Sequence, residues 1–280
     1  MRKRPAMVKM ESVWNAMADF LRAHKRALLP LVILGLFVPL TIGQLAEMVQ
    51  AETGSETAPG IAASLISFLV AVIALWAQIS ITAMALEPLS AGAAARTGLR
   101  RLPAVIGILV LVTIVLMVLA LPVLFVFWRA GMGQGAMHAP DVSPLYLAFV
   151  VLYAILYAVA LVVLIARLIV TTPVIVAERN GLSALRRSWQ LTRGYGAAII
   201  GIVLLFGIVA LIAQLAVKTV LGSILLLFLG GEGSFSLSAI LIACASGIVL
   251  TIVSVIQVAF LAKLYLALSR PFRSEAASFE

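Results

Sequence analysis

Residues 104–128 read AVIGILVLVTIVLMVLALPVLFVFW, an apolar run bounded by Arg100 and Arg101 before it and Arg129 after it. As an α-helix this run extends about 38 Å at ~1.5 Å per residue, enough to cross a hydrocarbon core of roughly 30 Å. It contains no charged side chain. Such a segment is stable in lipid only if every backbone N–H and C=O is bonded within it, and a helix does that without a partner.

Working outward, five further runs have the same character: 27–45, 61–86, 145–170, 197–218 and 237–266. Short polar breaks separate them, among them Glu52-Thr53-Gly54-Ser55-Glu56 and Gly131-Met132-Gly133-Gln134-Gly135. The chain is 64% hydrophobic and only 11% charged, with a mean hydropathy of +1.19. A soluble domain carries about 25% charged residues, so this chain cannot cover a water-facing surface. The expected fold is an all-α integral membrane bundle of six transmembrane helices with interfacial amphipathic helices. Its expected parts are a cytoplasmic amphipathic segment over 1–26, a six-span domain over 27–268 and a cytoplasmic tail over 269–280. The long charged lead and the absence of an A-x-A-like site make the first run an uncleaved span.

The net charge is +9 and the isoelectric point near 10.3. In a soluble protein this balance would point to nucleic acid. Here the basic residues adjoin apolar runs, so no nucleic-acid partner is expected, and orientation on an anionic inner leaflet explains the charge better. With the first residues inside, eighteen of the 20 Lys and Arg residues fall on the cytoplasmic side, including Arg2, Lys3, Arg4, Lys9, Arg100, Arg101 and Arg179. Arg129 and Lys218 fall outside, with Glu47, Glu52, Glu56, Asp141 and Glu232. The positive-inside rule therefore places both termini in the cytoplasm of an inner (plasma) membrane.

Two stretches are amphipathic. Met10, Val13, Trp14, Met17 and Leu21 recur at helical spacing before the first span, as in a helix lying at the inner interface. The second, 183–193, is closed by Gly194 as a C-cap. On it Leu185, Trp189 and Thr192 share one face, while Arg186, Gln190 and Arg193 share another, with Arg187 at its edge. These arginines read as snorkelling side chains or as a site for a lipid headgroup or partner. The run 197–229 is too long for one span, so 220–229 is expected to form a separate apolar segment.

The cytoplasmic connections resemble each other. Glu87 is followed nine residues later by Arg96, and Glu178 nine residues later by Arg187, as in a parallel duplication of a helical hairpin. Glu87, Arg96, Glu178 and Arg187 are expected to form ion pairs tying loops to helix ends. The stretch PVIVAERNGLSALRRSWQLTRG, residues 173–194, is the most distinctive in the chain. It resembles the membrane domain preceding some bacterial glycerophosphodiester phosphodiesterases, and stand-alone relatives of that domain; Pro88-Leu89-Ser90-Ala91-Gly92 is similar to what such proteins carry after their second span. In that family hydrolysis belongs to a separate soluble barrel, which these residues do not resemble, so the likeness implies the membrane part without the activity.

Candidate chemistry is sparse. Cys244 is the lone cysteine, His24 and His138 are far apart, and the carboxylates are dispersed, so neither a metal site nor a cofactor is expected. His138, Asp141 and Ser143 are the residue types of a nucleophilic triad, but their crowding in one loop does not suit one. Polar residues in spans are costly unless satisfied. Gln78, Gln214, Lys218 and Gln257 are the candidates for a polar cavity, which would indicate a transporter or exporter. Ala239, Ala243 and Gly247, and likewise Ala197 and Gly201, form small-x-x-x-small ladders suited to close helix packing or a homo-oligomer. The leading expectation is a non-enzymatic membrane protein acting with envelope lipids or a protein partner.

Overall fold

The computed structural model describes residues 10–129, 144–178, 181, 183–230 and 236–276. Arg2, Lys3, Arg4, Lys9, Arg179, Glu232, the glycine run 131–135 and the trio His138, Asp141 and Ser143 lie outside the described residues. The architecture is all-α: α1 (Met10–Val32), α2 (Val38–Thr53), α3 (Ala58–Leu86), α4 (Ala91–Arg129), α5 (Pro144–Leu168), α6 (Thr171–Glu178), α7 (Ser183–Leu191), α8 (Gly196–Leu215), α9 (Gly222–Leu229) and α10 (Leu237–Ala276). Among the described residues there is no strand. Among the described residues six helical stretches are long and apolar enough to cross a membrane: Met10–Thr53, Ala58–Leu86, Ala91–Phe125, Ala148–Glu178, Gly196–Leu229 and Leu237–Ser269. The chain is a multi-pass helical membrane protein.

The distribution of side chains agrees with lipid as the solvent. Phe228 is 80% exposed and Leu227 82%, whereas Ser80, Ser188, Thr192 and Ser246 are fully buried. Lipid tails are as apolar as leucine, so large apolar residues gain nothing by facing inward, and small or hydroxyl residues mark the helix contacts. The buried hydroxyls of Ser80, Thr82, Thr192 and Thr251 return to the carbonyls of Trp76, Gln78, Ser188 and Gly247 four residues earlier, so each is satisfied locally.

Local chemistry sets several boundaries. Thr57 caps α3 by accepting from the Gly60 N–H at 3.2 Å. Ser90 accepts from the Ala93 N–H at 3.3 Å, so the connection after α3 becomes helical at once and α4 begins well before the apolar run at 104. A Cβ on Gly98 would run into the Ser80 hydroxyl and come within 3.1 Å of the Trp76 carbonyl, so α4 crosses α3 closely there. Nearby, Trp76 Nε1 donates to the Ala95 carbonyl at 3.0 Å. Gly247 lies against Thr41 of α2 and Ala243 is fully buried, so the ladder on α10 is used in packing. Ala197 and Gly201 of the other ladder are exposed.

Two expectations are corrected. Residues 220–229 are not a separate segment: α8 runs through a π-helical turn, Ala216–Leu221, into α9 as one stretch from Gly196 to Leu229. Breaking the helix would strip hydrogen bonds from backbone groups in an apolar medium, whereas a widened turn keeps them bonded. Likewise, from Met10 onward no break separates the amphipathic stretch from the first span. Helix α1 passes Pro30, widens into a π turn at Ile33–Phe37 and continues as α2. The apolar face of α1 packs on protein: Val13, Met17 and Phe20 are buried, and Trp14 lies 6.4 Å from Phe206 and 5.9 Å from Phe260 between ring centroids. Aromatic packing of this kind is available on the bundle and not in lipid.

Candidate functional site

One end of the bundle gathers the polar chemistry. Lys263 of α10 donates to the Ala85 carbonyl at 2.7 Å, near the end of α3, and its ammonium sits 4.8 Å from the Phe20 ring centroid. Glu178, closing α6, accepts from Arg187 Nε at 3.2 Å and from the Tyr265 hydroxyl at 3.0 Å. Tyr265 is only 1% exposed, so this node joins α6, α7 and α10 with its tyrosine buried and its ion pair partly exposed. Helix α7 is further tied to α5 by Ser188 Oγ, which donates to the Arg167 carbonyl at 2.7 Å.

These bonds decide which face of α7 points inward. Ala184, Ser188 and Leu191 are buried, with Thr192 just beyond the helix; of the face shared by Leu185, Trp189 and Thr192, only Thr192 is buried. Small and hydroxyl side chains allow α7 to approach α5 and α6. The helix ends before Gly194, whose φ of 96° only glycine adopts freely. Leu185 and Trp189 instead face a groove.

That groove, about 470 Å³, lies between α4, α5 and α7. Leu111, Val112 and Val115 of α4 and Leu164 and Leu168 of α5 form its walls, and Leu185, Arg186, Trp189 and Gln190 of α7 complete a lining that is almost wholly apolar. Trp189 is 45% exposed, and the Arg167 guanidinium stacks 5.3 Å from its ring centroid. Arg167 Nη1 is buried and has no hydrogen-bond partner. The result is an acyl-sized apolar trough bordered on the α7 side by Arg186, Trp189 and Gln190.

The structure thus divides the residues singled out on α7. Arg186, Trp189 and Gln190 share the groove, Arg187 turns to Glu178, and exposed Arg193 is not among the groove's lining residues. Among the described residues no ion pair joins Glu87 to Arg96. Glu87 instead lines a cavity of about 290 Å³ with Thr97, Arg100, Arg101, Val176 and Ala177. The four amide and ammonium candidates do not converge on one pocket. Gln78 lines an open groove between α3 and α4 that contains none of the other three. Gln214 Nε2 donates to the Ser246 carbonyl of α10 at 3.0 Å, Lys218 is exposed on its π turn and Gln257 is half-buried. Tyr265 and Arg167 had no local signal as site residues, because their partners lie on other helices. Among the described residues no three His, Cys, Asp or Glu side chains are grouped to hold a metal ion.

No family model, curated protein or solved structure matches the chain. The functional reading therefore rests on the geometry of this end of the bundle.

Proposed function

We propose that this chain is a non-enzymatic inner-membrane protein that holds an anionic phospholipid of the inner leaflet in the α4–α5–α7 groove. The observation carrying this is an apolar groove walled by α4 and α5 whose α7 side is lined by Arg186, Trp189 and Gln190. An acyl chain in the trough loses no water-facing surface, and a phosphate on its α7 side meets a cation and an amide donor. Arg167, stacked on Trp189 with Nη1 unpartnered, adds positive charge behind the indole. The orientation belongs to the proposal: the end carrying Arg96, Arg100, Arg101, Arg186, Arg187 and Arg193 faces the cytoplasm, with both termini there, as the bias of Lys and Arg predicts. So does kinship with the phosphodiesterase membrane-domain family, for which residues 173–194 are the support.

Native mass spectrometry of the protein released gently from its own membrane tests this reading. The expected result is one retained anionic phospholipid per chain, reduced several-fold in Arg186→Ala and in Trp189→Ala. A juxtamembrane Arg contributes about 1 kcal/mol toward an anionic surface, and closer contact contributes more. Retention unchanged in both variants would overturn the site. A lipid-free chain carrying a protein partner or a second copy would replace lipid binding with a scaffold role, and a lipid-free monomer would favour transport.

A further inference from the structure

The two halves of the repeated hairpin treat their glutamates differently. Glu178 is bonded by both Arg187 and Tyr265. Glu87, its counterpart at the end of α3, has no ion pair or side-chain hydrogen bond among the described residues. It is exposed and borders the 290 Å³ cavity beside Thr97 and Arg101, with Arg100 also lining it. Neither arginine pairs with Glu87 within 4 Å, although all three face one space. Opposite charges on one cavity that stay apart are poorly matched to a ligand of a single sign. A purely anionic ligand meets the carboxylate, and a purely cationic one meets two guanidinium groups. A ligand bearing both signs a few bonds apart satisfies both.

We propose that the cavity between α3, α4 and α6 is a second binding site, for a headgroup-sized zwitterion that joins a phosphate to a primary ammonium. The phosphate takes Arg100 and Arg101, whose planar donor forks suit its oxygens, with Thr97 beside them. The ammonium donates to Glu87. At about 290 Å³ the cavity is at the small end of ligand sites, roughly 300–1,000 Å³, so it admits a headgroup and not a whole lipid. This site shares no lining residue with the α7 groove and does not depend on it.

The test uses the full chain in nanodiscs offering phosphatidylethanolamine, phosphatidylglycerol and phosphatidylcholine, with bound lipid counted by native mass spectrometry. Wild type and an Arg186→Ala background are compared, so that loss of the α7 groove is read separately. Phosphatidylethanolamine is expected to be retained at this site over phosphatidylglycerol, and over phosphatidylcholine, whose quaternary nitrogen has no N–H to donate. Glu87→Gln, an isosteric change at an exposed position, should lower phosphatidylethanolamine retention roughly tenfold or more without lowering that of phosphatidylglycerol. Arg100→Gln with Arg101→Gln should lower retention of both. Soluble phosphoethanolamine that displaces the lipid would name a free zwitterion as sufficient, and failure to displace would name the lipid; both outcomes support the zwitterion site. In the Arg186→Ala background, equal or better retention of phosphatidylglycerol, or no effect of Glu87→Gln, would overturn it.

Discussion

Replacing Glu178 by alanine removes the acceptor shared by Arg187 and Tyr265, and the consequences for the two donors differ. The Tyr265 hydroxyl belongs to a residue 1% exposed and is left without that acceptor. A buried donor stripped of its acceptor costs about 1–3 kcal/mol. The Arg187 side chain is 30% exposed and that of Glu178 25%, so the arginine can turn toward headgroups and water, and its loss is held to about 0–1 kcal/mol. Glu178→Ala should therefore destabilise the bundle by roughly 2–3 kcal/mol. Tyr265→Phe leaves Glu178 paired with Arg187 and should cost about 1 kcal/mol, near what interhelical hydrogen bonds contribute in membrane bundles. Arg187→Ala should cost no more than that. The assay is equilibrium unfolding in mixed micelles of a native-like detergent and dodecyl sulfate, with Glu178→Ala/Tyr265→Phe completing a double-mutant cycle. The order expected is Glu178→Ala largest, with a coupling of about 0.5–1.5 kcal/mol between Glu178 and Tyr265. An Arg187→Ala loss equal to that of Glu178→Ala, or a coupling near zero, would refute the reasoning that burial of Tyr265 sets the magnitude.

Other outcomes follow from the same contacts. Gly98→Ala should destabilise by about 1–3 kcal/mol through overpacking against Ser80 and the Trp76 carbonyl, and Ser80→Ala should recover part of the loss in the same unfolding assay. Trp76→Phe, which removes the Nε1 donor to Ala95, should cost about 1 kcal/mol and weaken hydrogen-exchange protection at the start of α4. Gln214→Leu should cost less than about 1 kcal/mol in the same unfolding assay, because the Ser246 carbonyl it touches lies within a helix; a loss of several kcal/mol would refute that. Trp14→Ala should lower stability by about 1–2 kcal/mol, since the ring packs on Phe206 and Phe260 but is 47% exposed; no loss in the unfolding assay would mean that these contacts do not anchor α1.

Legibility varied with the range of the interaction. The second span was expected over 61–86 and is observed as Ala58–Leu86, because Thr57 and the apolar run itself specify it. The amphipathic helix over 183–193 was legible for the same reason, as a local period with a glycine stop. Its inward face was not. Leu185 and Trp189 are the most apolar side of α7, yet Ala184, Ser188 and Leu191 are buried, since Ser188 bonds to Arg167 twenty-one residues away. The similar spacing in Glu87–Arg96 and Glu178–Arg187 likewise concealed two different outcomes, because the surroundings of each carboxylate come from other helices.

The number of spans, the apolar character of each and the concentration of Lys and Arg on alternate connections were determined by the sequence alone. In lipid every backbone group must be bonded within its own helix, so each span is a local property of about twenty residues. Only the tertiary structure decided the rest: that Tyr265 meets Glu178 across 87 positions, that Lys263 reaches Ala85 across 178, and that Arg186 lines a groove while Arg187 closes an ion pair. Hydropathy cannot encode those choices, because in a membrane the apolar side of a helix is equally at home against lipid or protein, and the few polar and small contacts that break the tie come from distant segments.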